Sequence, residues 1–76
     1  MEVFPGITMD PDIRFGKPCV TDTRVDVATV VGALAVEENM EAVQEAYQLT
    51  RAQVLDVLYY ATHLAGHMPP VVRKAS

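Results

Sequence analysis

A long helical pattern near the C-terminal end gives the strongest structural signal in the chain, because both of its ends are defined. Thr50 and Gln53 have the spacing of a capping box at its start. Gly66 predicts its end, and Pro69 and Pro70 forbid its continuation. The apolar residues at helical spacing are Val54, Val57, Leu58, Ala61, Leu64 and Ala65, with Leu55 and Tyr59 widening the stripe. We therefore expect this helix to be buried on more than one side and to organise the core.

Two shorter helical patterns precede this helix. The first places Val27, Val30, Val31 and Leu34 on one face, and the second places Met40, Val43 and Tyr47 on one side. Asp26 and Asn39 stand just before these patterns and are suited to cap them. Gln48 and Leu49 are the expected turn before the last helix. Residues 26–66 are therefore predicted to form three helices.

The first 25 residues have a different character, because turn-forming residues interrupt them. These residues are Pro5, Gly6, Asp10, Pro11, Gly16 and Pro18. They prevent a long helix. The runs FPGIT and CVTDTRV are rich in β-branched residues, which predicts two short strands joined by the loop DPDIRFGKP. An isolated β-ribbon is marginal in water, so a helix or a partner chain has to cover it.

Length and composition limit the class of protein. The chain has 76 residues, half of them hydrophobic, which predicts a single domain over residues 1–68 followed by an extended tail over 69–76. Small apolar-rich chains often complete their cores by self-association, which favours a homodimer. The single cysteine rules out an internal disulfide, which fits a cytoplasmic protein. No apolar run is long enough to cross a membrane.

Positive charge is concentrated in the stretch RFGKPCVTDTR. The whole chain has six Lys and Arg residues against ten Asp and Glu, a formal charge of -4, which argues against wrapping nucleic acid by bulk charge. Arg14, Lys17 and Arg24 are nevertheless available to contact phosphates. Alternatively they pair with the flanking carboxylates of Asp10, Asp12, Asp22 and Asp26. The proximity of these acids favours the ion pairs.

The last two helices and their tight turn form the pattern of a helix-turn-helix. In that geometry the first residues of the last helix, Thr50, Arg51 and Gln53, face a DNA groove, where Arg pairs with guanine and Gln with adenine. Any small three-helix bundle gives the same pattern, however, and Thr50 and Gln53 then act only as caps. Because the chain is acidic, this second interpretation is favoured from the residues alone.

Signs of catalysis and metal binding are weak. Cys19 has no histidine near it in sequence, and no nucleophile set, carboxylate pair or phosphate loop is present. We therefore expect a non-enzymatic protein without a cofactor.

His63 and His67 lie four residues apart, but a closed metal site needs three or four ligands. Their position near the end of a helix favours an interaction with the helix dipole.

The C-terminal tail is a candidate for binding a partner. After the two prolines, Val71 and Val72 suit an apolar groove, while Arg73 and Lys74 suit acidic groups. A frayed C-terminus is the simpler explanation.

Three consecutive segments resemble a bacterial and archaeal family known as domain of unknown function 433. In order, they are ITMDPDIRFGKPCVTDTRVDV, the amphipathic helix that follows it, and EAYQLTRAQVLDVLYYA. The similar positions are Gly16 to Pro18, Thr23 and Arg24, and Tyr47 to Thr50, within a match that covers about Ile7 to Ala65. Asp22 replaces the usual Gly before Thr-Arg, but Asp tolerates a left-handed backbone, so the turn can be kept. The family segment that opens the last helix is also one residue shorter here.

The resemblance implies a mainly α fold, in which a short N-terminal β-ribbon precedes a helix-turn-helix-like bundle of three helices (winged-helix or homeodomain-like). It further implies an antitoxin of VapB type that blocks a neighbouring PIN-like nuclease and represses its own promoter as a dimer. In that scheme the ribbon helps to form the dimer. Arg51 and Gln53 face the DNA bases. The residues available to contact phosphates are Arg14, Lys17 and Arg24. The tail binds the nuclease. A small structural or adaptor dimer without DNA binding is the alternative.

Overall fold

The structure, a computed structural model, describes residues 1–66. Its elements are β1 (Glu2–Phe4), β2 (Ile7–Thr8), β3 (Cys19–Val20), α1 (Val27–Glu37), α2 (Met40–Tyr47) and α3 (Arg51–Gly66). The predicted mainly α fold, with a β-ribbon before three helices, is confirmed. The predictions for His67 and for the tail residues Val71, Val72, Arg73 and Lys74 lie outside the described residues.

The ribbon is a three-stranded antiparallel sheet in the order β1-β2-β3. The prediction that FPGIT forms one strand is wrong, because the chain reverses between Phe4 and Ile7, which are themselves paired. Gly6 adopts a left-handed φ of 80°, and its N–H donates to Glu2 Oε1 at 3.0 Å. Pro5 and Gly6 therefore form a turn, although the run is rich in the β-branched residues typical of strands.

All three helices begin at the predicted caps. Asp26 accepts a hydrogen bond from the Thr29 N–H at 3.2 Å, and Asn39 accepts one from the Ala42 N–H at 3.0 Å. At the start of α3, the Thr50 N–H donates to Gln53 Oε1 at 2.8 Å and the Gln53 N–H donates to Thr50 Oγ1 at 3.1 Å. This reciprocal pair is the expected capping box.

One hydrophobic core joins the sheet to the helices. Its buried members are Ile7, Val20, Val27, Val30, Val43, Leu49, Val54, Val57 and Tyr60. The Phe4 ring lies 5.4 Å from the Tyr60 ring and 5.1 Å from the His63 ring, so β1 packs on the C-terminal half of α3. Four apolar residues expected to be buried are exposed instead: Val31 on α1 at 37%, and Tyr59 at 61%, Leu64 at 45% and Ala65 on α3.

Within residues 1–66, no helix is both long enough and apolar enough to cross a membrane.

Candidate interaction surfaces

The basic stretch contains an ion pair that fixes the start of α1. Arg14 Nη2 lies 3.2 Å from Asp26 Oδ1, and this is the salt bridge found among residues 1–66. Asp26 is 4% exposed, and the same carboxylate accepts hydrogen bonds from the Thr29 N–H at 3.2 Å and the Thr29 hydroxyl at 2.7 Å. Of the four flanking acids, the fold therefore pairs Arg14 with Asp26.

These contacts set the ionisation of Asp26. Burial by itself raises the pKa of the Asp26 carboxyl, since it penalises the charged form. The two hydrogen bonds from Thr29 and the adjacent Arg14 guanidinium outweigh burial and hold that pKa below its usual value of 3.8. Asp26 is therefore a charged cap inside the protein, and part of the positive charge of Arg14 is already neutralised.

The loop between β2 and β3 displays an aromatic side chain. Arg14, Phe15 and Gly16 have positive φ angles of 51°, 59° and 81°. The backbone turns so tightly there that the Phe15 side chain is 98% exposed. The basic residue Lys17 follows and is also exposed. Sequence reasoning did not single out Phe15; the only available signal was one aromatic residue between a cation and a glycine.

Other apolar side chains surround this aromatic residue. Met1, Met9, Pro11, Phe15 and Gly16 line one shallow groove, together with Asp10. Met1 is 85% exposed and Met9 is 36% exposed. The termini of β1 and β2 hold these two methionines together, because the N–H of Met9 donates to the Met1 carbonyl and the Met1 ammonium donates to the Met9 carbonyl, both at 2.9 Å. We call this group of residues the methionine groove.

Arg24 lies at a second cavity, on another part of the sheet. It shares this cavity with Asp10, Asp22 and the hydroxyls of Thr8 and Thr21, which bond each other at 2.8 Å. Asp22 has a φ of 63°, as expected for the residue that replaces glycine there.

Cys19 also lines this cavity but is buried, and burial together with the Asp26 charge raises the pKa of its thiol. A thiol of this kind is a poor nucleophile at neutral pH.

The residues predicted to read DNA have different environments in the structure. Thr50 and Gln53 bond each other in the capping box. Arg51, the first residue of α3, is exposed. It is the single Lys or Arg in residues 27–66, a span that contains five acidic residues. The surface of the three helices is therefore acidic.

Four of those five acids cluster at the end of α1 and along α2. Glu37, Glu38, Glu41 and Glu45 fall within nine residues of sequence, and all four are exposed. Glu38 has a φ of 53°, the left-handed residue that ends α1. We call this group the acidic corner. Exposed carboxylates at such density repel phosphates and attract basic surfaces.

Metal ligands are not assembled in the part of the chain that the structure describes. No group of three or more His, Cys, Asp or Glu side chains suited to a metal occurs within residues 1–66. His63 lies against the Phe4 ring, near the end of α3.

The family model described as "Protein of unknown function (DUF433)" matches residues 7–61. The chain belongs to the DUF433 family. The chain is similar to Rv2018 from Mycobacterium tuberculosis, a protein with a known crystal structure. The two have 33% sequence identity, and their structures superpose with a TM-score of 0.62. The similarity covers 68% of this chain and 24% of Rv2018, so the DUF433 chain corresponds to about a quarter of that protein. No curated protein matches the chain.

Proposed function

We propose that this DUF433 protein is a non-enzymatic antitoxin that binds and blocks a nuclease encoded beside it. The observation that carries the proposal is the acidic corner, because it gives the helical surface the charge opposite to that of a nucleic-acid binder. The resemblance of the family to VapB-type antitoxins, with PIN-like nucleases as partners, supports the choice of partner.

A nuclease must bind the phosphates of its RNA substrate. An enzyme that cleaves RNA needs basic residues to hold phosphates. A small protein with a formal charge of -4 is attracted to such a surface and competes with the substrate for it. Long-range attraction also speeds association, which helps an inhibitor to act before the nuclease finds RNA.

Co-purification with the neighbouring gene product tests the proposal. We expect the tagged protein to capture that nuclease and to inhibit its cleavage of RNA at a one-to-one ratio of chains. Glu45→Gln should weaken binding by about 3- to 10-fold at low salt. Ala65→Lys is the matched control, since it changes the net charge by the same +1 at an exposed position outside the acidic corner. Failure of the wild-type protein to bind the nuclease would exclude the antitoxin function and favour an adaptor.

A homodimer is part of the proposal, and α1 supports it. This helix has no charged residue before Glu37, although one of its faces is exposed. The exposed residues of that face are Ala28, Val31, Gly32, Ala35 and Val36. Val36 is 80% exposed. A helix that is apolar on all sides is normally covered, and a two-fold axis lets the same face cover itself. Val36→Glu should give a monomer in light scattering, whereas Ala65→Glu should not.

Promoter binding by the dimer is a second activity, favoured by the exposure of Arg51 at the start of the helix-turn-helix α3. Lys17 and Arg24 are then available for phosphates, whereas Arg14 already pairs with Asp26. Binding to the upstream DNA should weaken steeply with salt. Arg51→Ala should weaken it by about 10-fold or more, the usual contribution of one base-reading arginine. If this variant binds the promoter as the wild type does, α3 is not the reading helix.

A further inference from the structure

We propose that the cavity beside Arg24 binds a small zwitterion, a compound that carries both an ammonium group and a carboxylate. In this site Arg24 holds the carboxylate, while Asp10 and Asp22 hold the ammonium group. The inference goes beyond the proposed function, because it needs neither the nuclease nor DNA. A bound carboxylate takes the same guanidinium that is available to a DNA phosphate, so these two ligands exclude each other there.

Opposite charges share this cavity without pairing. Arg24, Asp10 and Asp22 all line it. Within residues 1–66 the only salt bridge joins Arg14 to Asp26, so the Arg24 guanidinium contacts neither carboxylate of its own cavity. The two carboxylates repel a simple anion, and Arg24 repels a simple cation. A ligand with both charges meets an opposite charge at each end.

The turn that carries Asp22 and Arg24 is fixed by hydrogen bonds before any ligand binds. The Val20 N–H donates to the Val25 carbonyl at 2.9 Å, and the Thr23 N–H donates to the Val20 carbonyl at 3.0 Å. The Thr23 hydroxyl also donates to the Val20 carbonyl at 2.7 Å and accepts from the Val25 N–H at 3.1 Å. Because the turn is already ordered, its charged residues lose little conformational entropy on binding.

Asp10 is held by its own loop. Its Oδ1 atom accepts a hydrogen bond from the Asp12 N–H at 2.8 Å, and its carbonyl accepts one from the Ile13 N–H at 2.9 Å. The second carboxylate oxygen of Asp10 accepts no hydrogen bond within residues 1–66. That oxygen is therefore available to an ammonium group in the cavity.

The rest of the lining suits the two ends of the ligand and the chain between them. The Thr8 and Thr21 hydroxyls lie 2.8 Å apart and share one hydrogen bond, so one of their two protons remains to be donated to a ligand oxygen. Ile13, Cys19 and Val20 add apolar lining for a short hydrocarbon chain. The cavity volume is about 460 Å³, within the range of roughly 300–1,000 Å³ for small-molecule sites.

NMR titration of the isotope-labelled full chain tests the inference with amino acids of increasing length. The probes are glycine, β-alanine, γ-aminobutyrate and ε-aminocaproate. We expect at least one of them to shift the amide signals of residues 21–24 with a dissociation constant of about 1 mM or less. The length that binds best measures the separation of the charges. Acetate and ethylamine, which carry one charge each, should bind at least about 10-fold more weakly.

Variants matched in charge show whether the cavity is the site. Arg24→Gln and Asp22→Asn should each raise the dissociation constant at least about 5-fold, because each removes a charged partner. Asparagine also tolerates the left-handed backbone at position 22, so the turn is kept. Lys17→Gln and Asp12→Asn are the matched controls and should bind as the wild type does, since these exposed residues do not line the cavity.

Every other outcome overturns the inference. If none of the four amino acids shifts these amide signals at about 20 mM, the cavity binds no zwitterion. Equal affinity for acetate would make it an anion site, and equal affinity for ethylamine would make it a cation site. An equal loss from the control variants would mean that binding follows the net charge of the chain. Because the titration contains no nuclease, failure here leaves the antitoxin proposal intact.

Discussion

Replacing Asp26 should reveal how much stability the fold draws from one buried carboxylate. The side chain caps α1, accepts two hydrogen bonds from Thr29 and meets Arg14, while only 4% of Asp26 is exposed. Loss of a capping side chain costs about 1 kcal/mol. Each hydrogen bond to a charged group contributes about 1.5 kcal/mol, but half-exposed Arg14 regains water when it is freed. We therefore expect Asp26→Ala to lower the free energy of unfolding by about 2–4 kcal/mol.

Urea unfolding followed by circular dichroism measures this loss, and two further variants divide it. Asp26→Asn keeps an oxygen that can cap α1 but loses the charge, so we expect a cost of about 1 kcal/mol. Arg14→Met removes the ion pair and leaves the Thr29 bonds, again with a cost of about 1 kcal/mol or less. If Arg14→Met cost as much as Asp26→Ala, the ion pair rather than the cap would be the stabilising contact.

The pH dependence gives an independent check. Because the folded protein holds the pKa of Asp26 below 3.8, its charge stabilises the fold fully above the unfolded value. That contribution disappears as the pH falls through 3.8 and then through the lower folded pKa. Asp26→Asn cannot titrate, so the difference between it and the wild type should shrink from pH 7 to pH 3. A difference that stays constant over this range would refute the assignment.

Four further variants test the turns and caps. Thr50→Ala removes one acceptor of the α3 capping box and should cost about 1 kcal/mol in urea unfolding, while Thr62→Ala, at an exposed mid-helix hydroxyl, should cost less. Gly6→Ala should cost about 2 kcal/mol or more, because φ is 80° and the added methyl group would lie 2.8 Å from Asp56 Cγ. An unchanged melting temperature would show that this turn is free to relax. Phe15→Gly should raise the free energy of unfolding by about 1 kcal/mol, since glycine adopts the left-handed conformation without strain. A loss instead would mean that the ring packs in the folded protein.

Sequence patterns sufficed for the helices because helix signals are local. Apolar spacing located α1, α2 and α3, and the capping residues Asp26, Asn39 and Thr50 stand within one turn of the groups they bond. Replacement of glycine by Asp22 likewise preserved the turn, as its φ of 63° shows. The family resemblance also follows from such local segments.

The tertiary structure decided what depends on distant parts of the chain. Periodicity placed Val31 and Tyr59 in the core, but a small bundle has too few elements to cover every apolar side chain, so both remain exposed. Four acids flank Arg14 in sequence, and only the folded loop brings Asp26 to its guanidinium. The exposure of Phe15 comes from consecutive backbone angles that the composition of the loop does not specify. The sequence by itself therefore determined which segments are helical and where they start. Packing between segments decided which surfaces remain for a partner, because burial depends on contacts between residues far apart in the chain.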